Sequence, residues 1–234
     1  MTLLINNNAM KIAPTWTVSV KDAKRDFVLR AAREEFMDKG LEGATMRGIS
    51  LRAGCTTGAI YPLFESKEDI YAALLGQSLL RLDVQVAAAV APAQSSAAQV
   101  AAACEAFLDY YSQHPFEVNL GLYAFRGIKR SGVGKDSDQA LNQALWTVLE
   151  RIALPLAETR GLPAQEVRPW VALVFSQMIG ALVLQLAGRL GALETSPKDV
   201  LRLMLAQLLP IEPAAPSNKA THKTPPKPTT ARKK

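Results

Sequence analysis

Between Thr45 and Tyr61 the chain holds two short helical stretches parted by three residues, and this arrangement constrains the fold more than any other feature. Thr45 is an N-cap type leading into Met46 to Ala53, with Ile49 and Ala53 on one face. Gly54-Cys55-Thr56 supplies the turn, and Thr56 or Thr57 can cap a short helix that reaches Tyr61. Pro62 removes a backbone donor and disfavours helix at Tyr61, so this second helix is expected to be short or bent. Ala53 and Gly54 are small enough for the two helices to cross closely, as a helix-turn-helix requires. The second helix then presents Thr56, Thr57, Gly58 and Ala59, small residues that let a backbone approach base edges.

The flanks extend this unit. From Asp22 the pattern is helical, with Val28, Ala32 and Phe36 four apart, and Gly40 stands where a left-handed cap is wanted. Ser66 opens a further helix with Glu68 and Asp69 in its positive first turn, running to about Ala91 before Pro92. Residues 22–81 resemble the N-terminal domain of the tetracycline-repressor (TetR) family. The resemblance rests on Val28-Leu29-x-Ala31-Ala32-x-x-x-Phe36-x-x-x-Gly40 and Thr45-x-x-x-Ile49. It continues through Ala53-Gly54-Cys55-Thr56-x-Gly58-x-Ile60-Tyr61-x-x-Phe64-x-Ser66-Lys67-Glu68.

That resemblance implies an all-α protein with an N-terminal three-helix DNA-binding domain and a C-terminal helical domain for ligand binding and dimerisation. It implies that Thr45 caps helix 2 and offers a phosphate contact, and that Tyr61 and Lys67 meet phosphates. Thr56, Thr57 and Ala59 match base-facing positions, and Gly58 and Arg47 are taken with them as DNA-binding residues. Arg52 reads equally well as a solvated side chain. Gly48 stands where the family often has an acid completing a capping box, which should weaken helix 2 by about 1 kcal/mol. Leu63 replaces a frequent His or Tyr and removes one polar contact.

Charge gives no independent support for nucleic acid. The net +6 lies almost wholly in residues 211–234, where six basic side chains face Glu212 alone, while 20–70 and 71–210 each balance. With five prolines, 212–234 reads as a disordered basic tail, and 1–21 as a flexible arm without a secretory signal. Two cysteines, Cys55 and Cys104, read as free thiols in a reducing compartment, so a cytoplasmic location is expected.

Residues 82–211 read as further helices: one to His114, one from Phe116 to about Lys129, and a long one from Asp136 to Arg160. Another spans 164–190, and the last follows Ser196-Pro197. Pro169 to Gly188 is twenty residues without a charge, the length of a membrane span. The family resemblance instead implies a helix buried in a dimeric four-helix bundle, so no membrane partner is expected. It also implies a small-molecule pocket, with Phe107, Tyr111, Asn119, Tyr123, Gln143, Trp146, Trp170 and Gln177 as candidates. No catalytic residues, metal site or cofactor are expected: His222 is in the tail and His114 has no ligand partner at metal spacing. The function implied is a ligand-responsive homodimeric regulator, most simply a repressor, on a palindromic double-stranded operator. The alternative is a DNA-binding or membrane-associated structural protein without ligand response.

Overall fold

A computed structural model of the chain describes residues 15–122 and 135–209. Most of the expected arm, Tyr123 and the basic tail lie outside them. The first helix, α1 (Thr15–Gly43), begins inside the segment assigned to the arm, which corrects that boundary. In sequence Pro14 directly precedes it and no glycine follows until Gly40, so nothing interrupts helix once it starts. Gly40 breaks the path with φ 68° and ψ 175°, a conformation glycine alone tolerates well, and one further turn reaches Gly43.

The helices α2 (Met46–Arg52), α3 (Thr57–Ile60) and α4 (Lys67–Val90) follow. Then come α5 (Ser96–Gln113), α6 (Pro115–Gly121), α7 (Lys135–Arg160), α8 (Arg168–Leu186), α9 (Arg189–Ala192) and α10 (Pro197–Leu208), with no strand among the described residues. Ser66 and Ser196 form capping boxes with Asp69 and Asp199, so the sequence-level starts of α4 and α10 are sound. Two expectations need correction. The helix expected over 164–190 spans only Arg168–Leu186, because Pro169 suits a first turn and Gly188, at φ 67°, ends the run before α9. The helix expected from Phe116 to about Lys129 ends at Gly121.

One continuous hydrophobic cluster joins the two halves, and α4 is the element they share. Its first turns, through Ile70, Tyr71 and Leu74, close the core formed by Val28, Ala32, Phe36, Ile49, Ile60 and Phe64. The Phe36 and Tyr71 rings meet edge to face at 5.3 Å. Its later turns, through Leu79, Leu82 and Val86, pack with α5 and α7, and α7 is clamped by a bidentate Arg151–Asp83 pair at 2.5 and 2.8 Å. Both α4 and α8 are apolar and long enough to cross a membrane, yet each buries a face in this core.

At the junction a carboxylate is buried. Glu117 on α6 is 2% exposed and accepts from Ser78, Tyr110 and, at 2.8 Å, Arg81. Burial alone pushes this carboxyl up, but the donors from Ser78, Tyr110 and Arg81 together outweigh it and hold it below the ordinary value. A group with a depressed folded value stabilises above its unfolded value, and that contribution disappears as pH falls through the folded one. Glu117→Gln is therefore expected to unfold more easily than wild type at pH 7. The difference should shrink below about pH 4, when measured by urea titration across the acid range.

Candidate nucleic-acid interface

The interface is built on how α2 is held. Thr45 accepts from the Gly48 amide at 3.0 Å, the cap its residue type suggests. Glu35, 1% exposed, comes across from α1 and sits beside Gly48: a Cβ added at 48 would lie 2.0 Å from the Glu35 Oε1. The Glu35 carboxylate thus occupies the space that a side chain at position 48 would need, and Gly48 leaves it open. A donor from Lys39 at 2.7 Å, against the opposing push of burial, and another from Arg52 at 2.6 Å hold the Glu35 carboxyl below its usual range. Arg52 also reaches Asp38 at 2.6 Å, so it braces α2 onto α1 and is not simply solvated.

Moving the acid tests this account. Gly48→Glu alone should destabilise the domain by about 1–3 kcal/mol, since it overpacks a closed site. Adding Glu35→Ala should recover much of that loss, giving a favourable coupling in a double-mutant cycle followed by thermal unfolding.

The turn between α2 and α3 runs through Gly54 at φ 61°, with the Cys55 amide donating to the Ser50 carbonyl at 3.0 Å. The Ser50 and Thr57 hydroxyls share a hydrogen bond of 3.1 Å, which sets α3 against α2. Beyond that bond Thr56, Gly58 and Ala59 are exposed side by side, and Tyr61 is 54% exposed at the end of α3. Nothing lies closer than 4.0 Å to a Cβ built at Gly58, so this surface is open. Arg47 is exposed on α2 with no side-chain hydrogen bond or ion pair among the described residues. Arg25 donates to the Leu63 carbonyl at 3.2 Å and covers the Phe64 ring at 4.2 Å, fixing the segment behind α3.

Lys67 stands apart from the other expected phosphate contacts. Its ammonium donates to the carbonyls of Leu41, Glu42 and Ala44 at 2.8, 3.1 and 3.1 Å, which uses all three of its protons. It braces the last turn of α1 just before Thr45. Lys67→Ala is therefore expected to cost about 1–3 kcal/mol of stability by stranding these carbonyls. A lysine acting chiefly on phosphate would instead leave stability intact and lower the salt slope of DNA binding by about 0.9.

The seven pocket candidates among the described residues do not share one site. Phe107 and Tyr111 lie in the core, with ring centroids 4.9 Å apart and Phe175 6.0 Å from Phe107. Gln143 is exposed on α7, and Trp146 donates to Glu150 at 2.7 Å beneath the Arg168 guanidinium. Trp170 and Gln177 line a groove of about 420 Å³ between α8 and α10, with Arg160 3.7 Å over the Trp170 ring. Asn119 is exposed on α6 and faces a cleft toward α1, and Tyr123 falls outside the described residues. Cys104 is buried and its thiol is pushed up to about 12 by burial and then by Glu105, so it is inert packing, and both cysteines are free. Among the described residues no group of three His, Cys, Asp or Glu could hold a metal.

Two short helices joined by a glycine turn, closed by α1 and α4 and open along α3, define a helix-turn-helix protein. Residues 28–74 match the sequence profile of the bacterial regulatory proteins, tetR family, so the chain carries a TetR-family helix-turn-helix domain. The HTH-type transcriptional activator FasR of Mycolicibacterium smegmatis is 34% identical over 90 residues, 38% of this chain and 41% of that one. The HTH-type transcriptional repressor BepR of Brucella suis biovar 1 is 39% identical over 54 residues, 23% of this chain and 26% of that one. The chain thus spans less than half the length of the curated relatives it matches. The fold extends further: the transcriptional regulator FadR of Bacillus subtilis, solved with stearoyl-CoA, superposes with a TM-score of 0.62. That overlap covers 79% of this chain and 97% of FadR at 15% identity.

Proposed function

We propose that the chain is a transcriptional regulator that binds a palindromic operator as a homodimer and is released by a small molecule. The observation that carries this reading is the open surface of Thr56, Gly58, Ala59 and Tyr61 on a rigidly braced α3. Small residues there allow backbone approach to base edges, while Tyr61, Thr45 and Arg47 supply phosphate contacts around them. Dimerisation is supported by the outer faces of α8 and α10, where Leu173, Leu184 and Leu203 are exposed and 46%, 42% and 67% accessible. Pairing those faces in two copies would bury them and set two copies of α3 at half-site spacing. A small-molecule response is supported by FadR, whose structure holds stearoyl-CoA in the same fold. FasR is named an activator and BepR a repressor, so we assign the sign to operator position, with repression where the operator overlaps a promoter. The protein would act in the cytoplasm, where its DNA is. Genome-wide mapping of bound sites tests the reading: a shared inverted repeat supports it, and sites without a common sequence overturn it.

A further inference from the structure

A cleft runs between α1, α4 and α6, outside the core of the C-terminal helices, and its two ends differ in chemistry. One end is a cavity of about 350 Å³ where Phe36, Met37, Tyr71, Phe116 and Leu120 form an apolar wall, with Lys39, Glu42 and Asn119 also lining it. The other, of about 230 Å³, is lined by Arg30, Arg33, Arg81 and Gln77 with Asp26 and Glu117. Phe116 and Leu120 belong to both walls, so the apolar and cationic ends adjoin.

The three guanidiniums exceed the two carboxylates by one charge. Arg81 is committed to Glu117 at 2.8 Å, which leaves the others lightly engaged. Arg33 approaches the same carboxylate only at 3.9 Å, rests 5.2 Å over the Phe116 ring and keeps a 42% exposed side chain. Arg30 is exposed, stands 5.3 Å over the Phe27 ring, and has no side-chain ion pair among the described residues. Two arginines with spare donors thus stand beside an apolar slot, an arrangement that recognises a chain ending in an anionic head.

We propose that this cleft binds an amphipathic organic anion, its apolar chain against Phe36 and Phe116 and its phosphate or carboxylate head on Arg30 and Arg33, and that occupancy controls the reading head. The control follows from the floor of the apolar end, where Gly40, Leu41 and Glu42 form the last turn of α1. The carbonyls of Leu41 and Glu42 are two of the three that Lys67 holds, and Thr45 begins α2 immediately beyond. A ligand seated on that turn displaces the support of α2, and a head drawn to Arg33 takes it from Glu117. The control rests on the DNA-binding reading above; the binding site does not.

Calorimetry on the full chain with octyl phosphate, inorganic phosphate and 1-octanol tests the site. Octyl phosphate should bind at least about tenfold more tightly than either fragment, the scale of one charge-assisted hydrogen bond. The double variant Arg30→Gln, Arg33→Gln should lose that advantage and keep the affinity for octanol, while Asn119→Trp, on the exposed rim, should weaken both. Equal affinity for octyl phosphate in wild type and the double variant overturns the site. Octanoate in place of octyl phosphate distinguishes carboxylate from phosphate heads. For control, octyl phosphate should lower affinity for a mapped operator about fivefold or more in wild type and not in the double variant. Binding with unchanged operator affinity overturns the control alone. A chain that binds no DNA with or without octyl phosphate overturns the reading above and leaves the calorimetric result standing.

Discussion

Gly58→Leu is expected to abolish sequence-specific DNA binding while the isolated protein melts at or slightly above the wild-type temperature. A Cβ at this position meets nothing nearer than the Thr56 hydroxyl at 4.0 Å, so the free chain has no clash to relieve. Leucine also favours helix over glycine by up to about 1 kcal/mol, which acts in the stabilising direction. On DNA the same side chain would stand between α3 and the base edges and hold the whole reading surface away. Several contacts, each worth about 1–3 kcal/mol, would be lost together, so specific affinity should fall at least 100-fold. Fluorescence anisotropy with operator and scrambled duplexes measures this directly. Undiminished preference for the operator would mean that the start of α3 does not face the bases.

Gly180→Glu should convert the proposed dimer to monomer without unfolding the chain. A Cβ built at Gly180 has nothing within 4 Å inside one protomer, and α8 buries only the face that carries Val171, Val174, Met178, Ala181 and Leu182. In a dimer formed through the outer faces of α8 and α10 the new carboxylate would be buried without a partner. That costs several kcal/mol. Light scattering should then report one chain per particle, with unchanged helicity and weakened operator binding, since two half-sites are no longer held together. A variant that stays dimeric and competent on DNA would move the interface away from α8.

The short helix α3, its turn and the caps at Thr45, Ser66 and Ser196 were legible in the sequence because each is decided by residues a few positions apart. Gly48 was legible only as a departure. Its purpose depends on Glu35, thirteen positions away on another helix, and no local pattern shows that carboxylate arriving. The bracing bonds of Lys67 were illegible for the same reason, since the carbonyls it donates to lie at 41–44. The pocket candidates scattered because α8 is apolar on nearly every side, so periodicity does not say which face turns inward; Trp170 and Gln177 turned toward α10. The Glu117 site gave no signal either, being assembled from Ser78 and Arg81 of α4, Tyr110 of α5 and Glu117 of α6.

Two copies of this chain are proposed to read a symmetric duplex through α3, and the stoichiometry on DNA decides it. Light scattering of the purified protein on a mapped operator, compared with a duplex carrying only one half-site, tests it most directly. Two chains are expected on the full operator, with much weaker, largely non-specific association with the half-site. A single chain bound with equal affinity to both duplexes would contradict it.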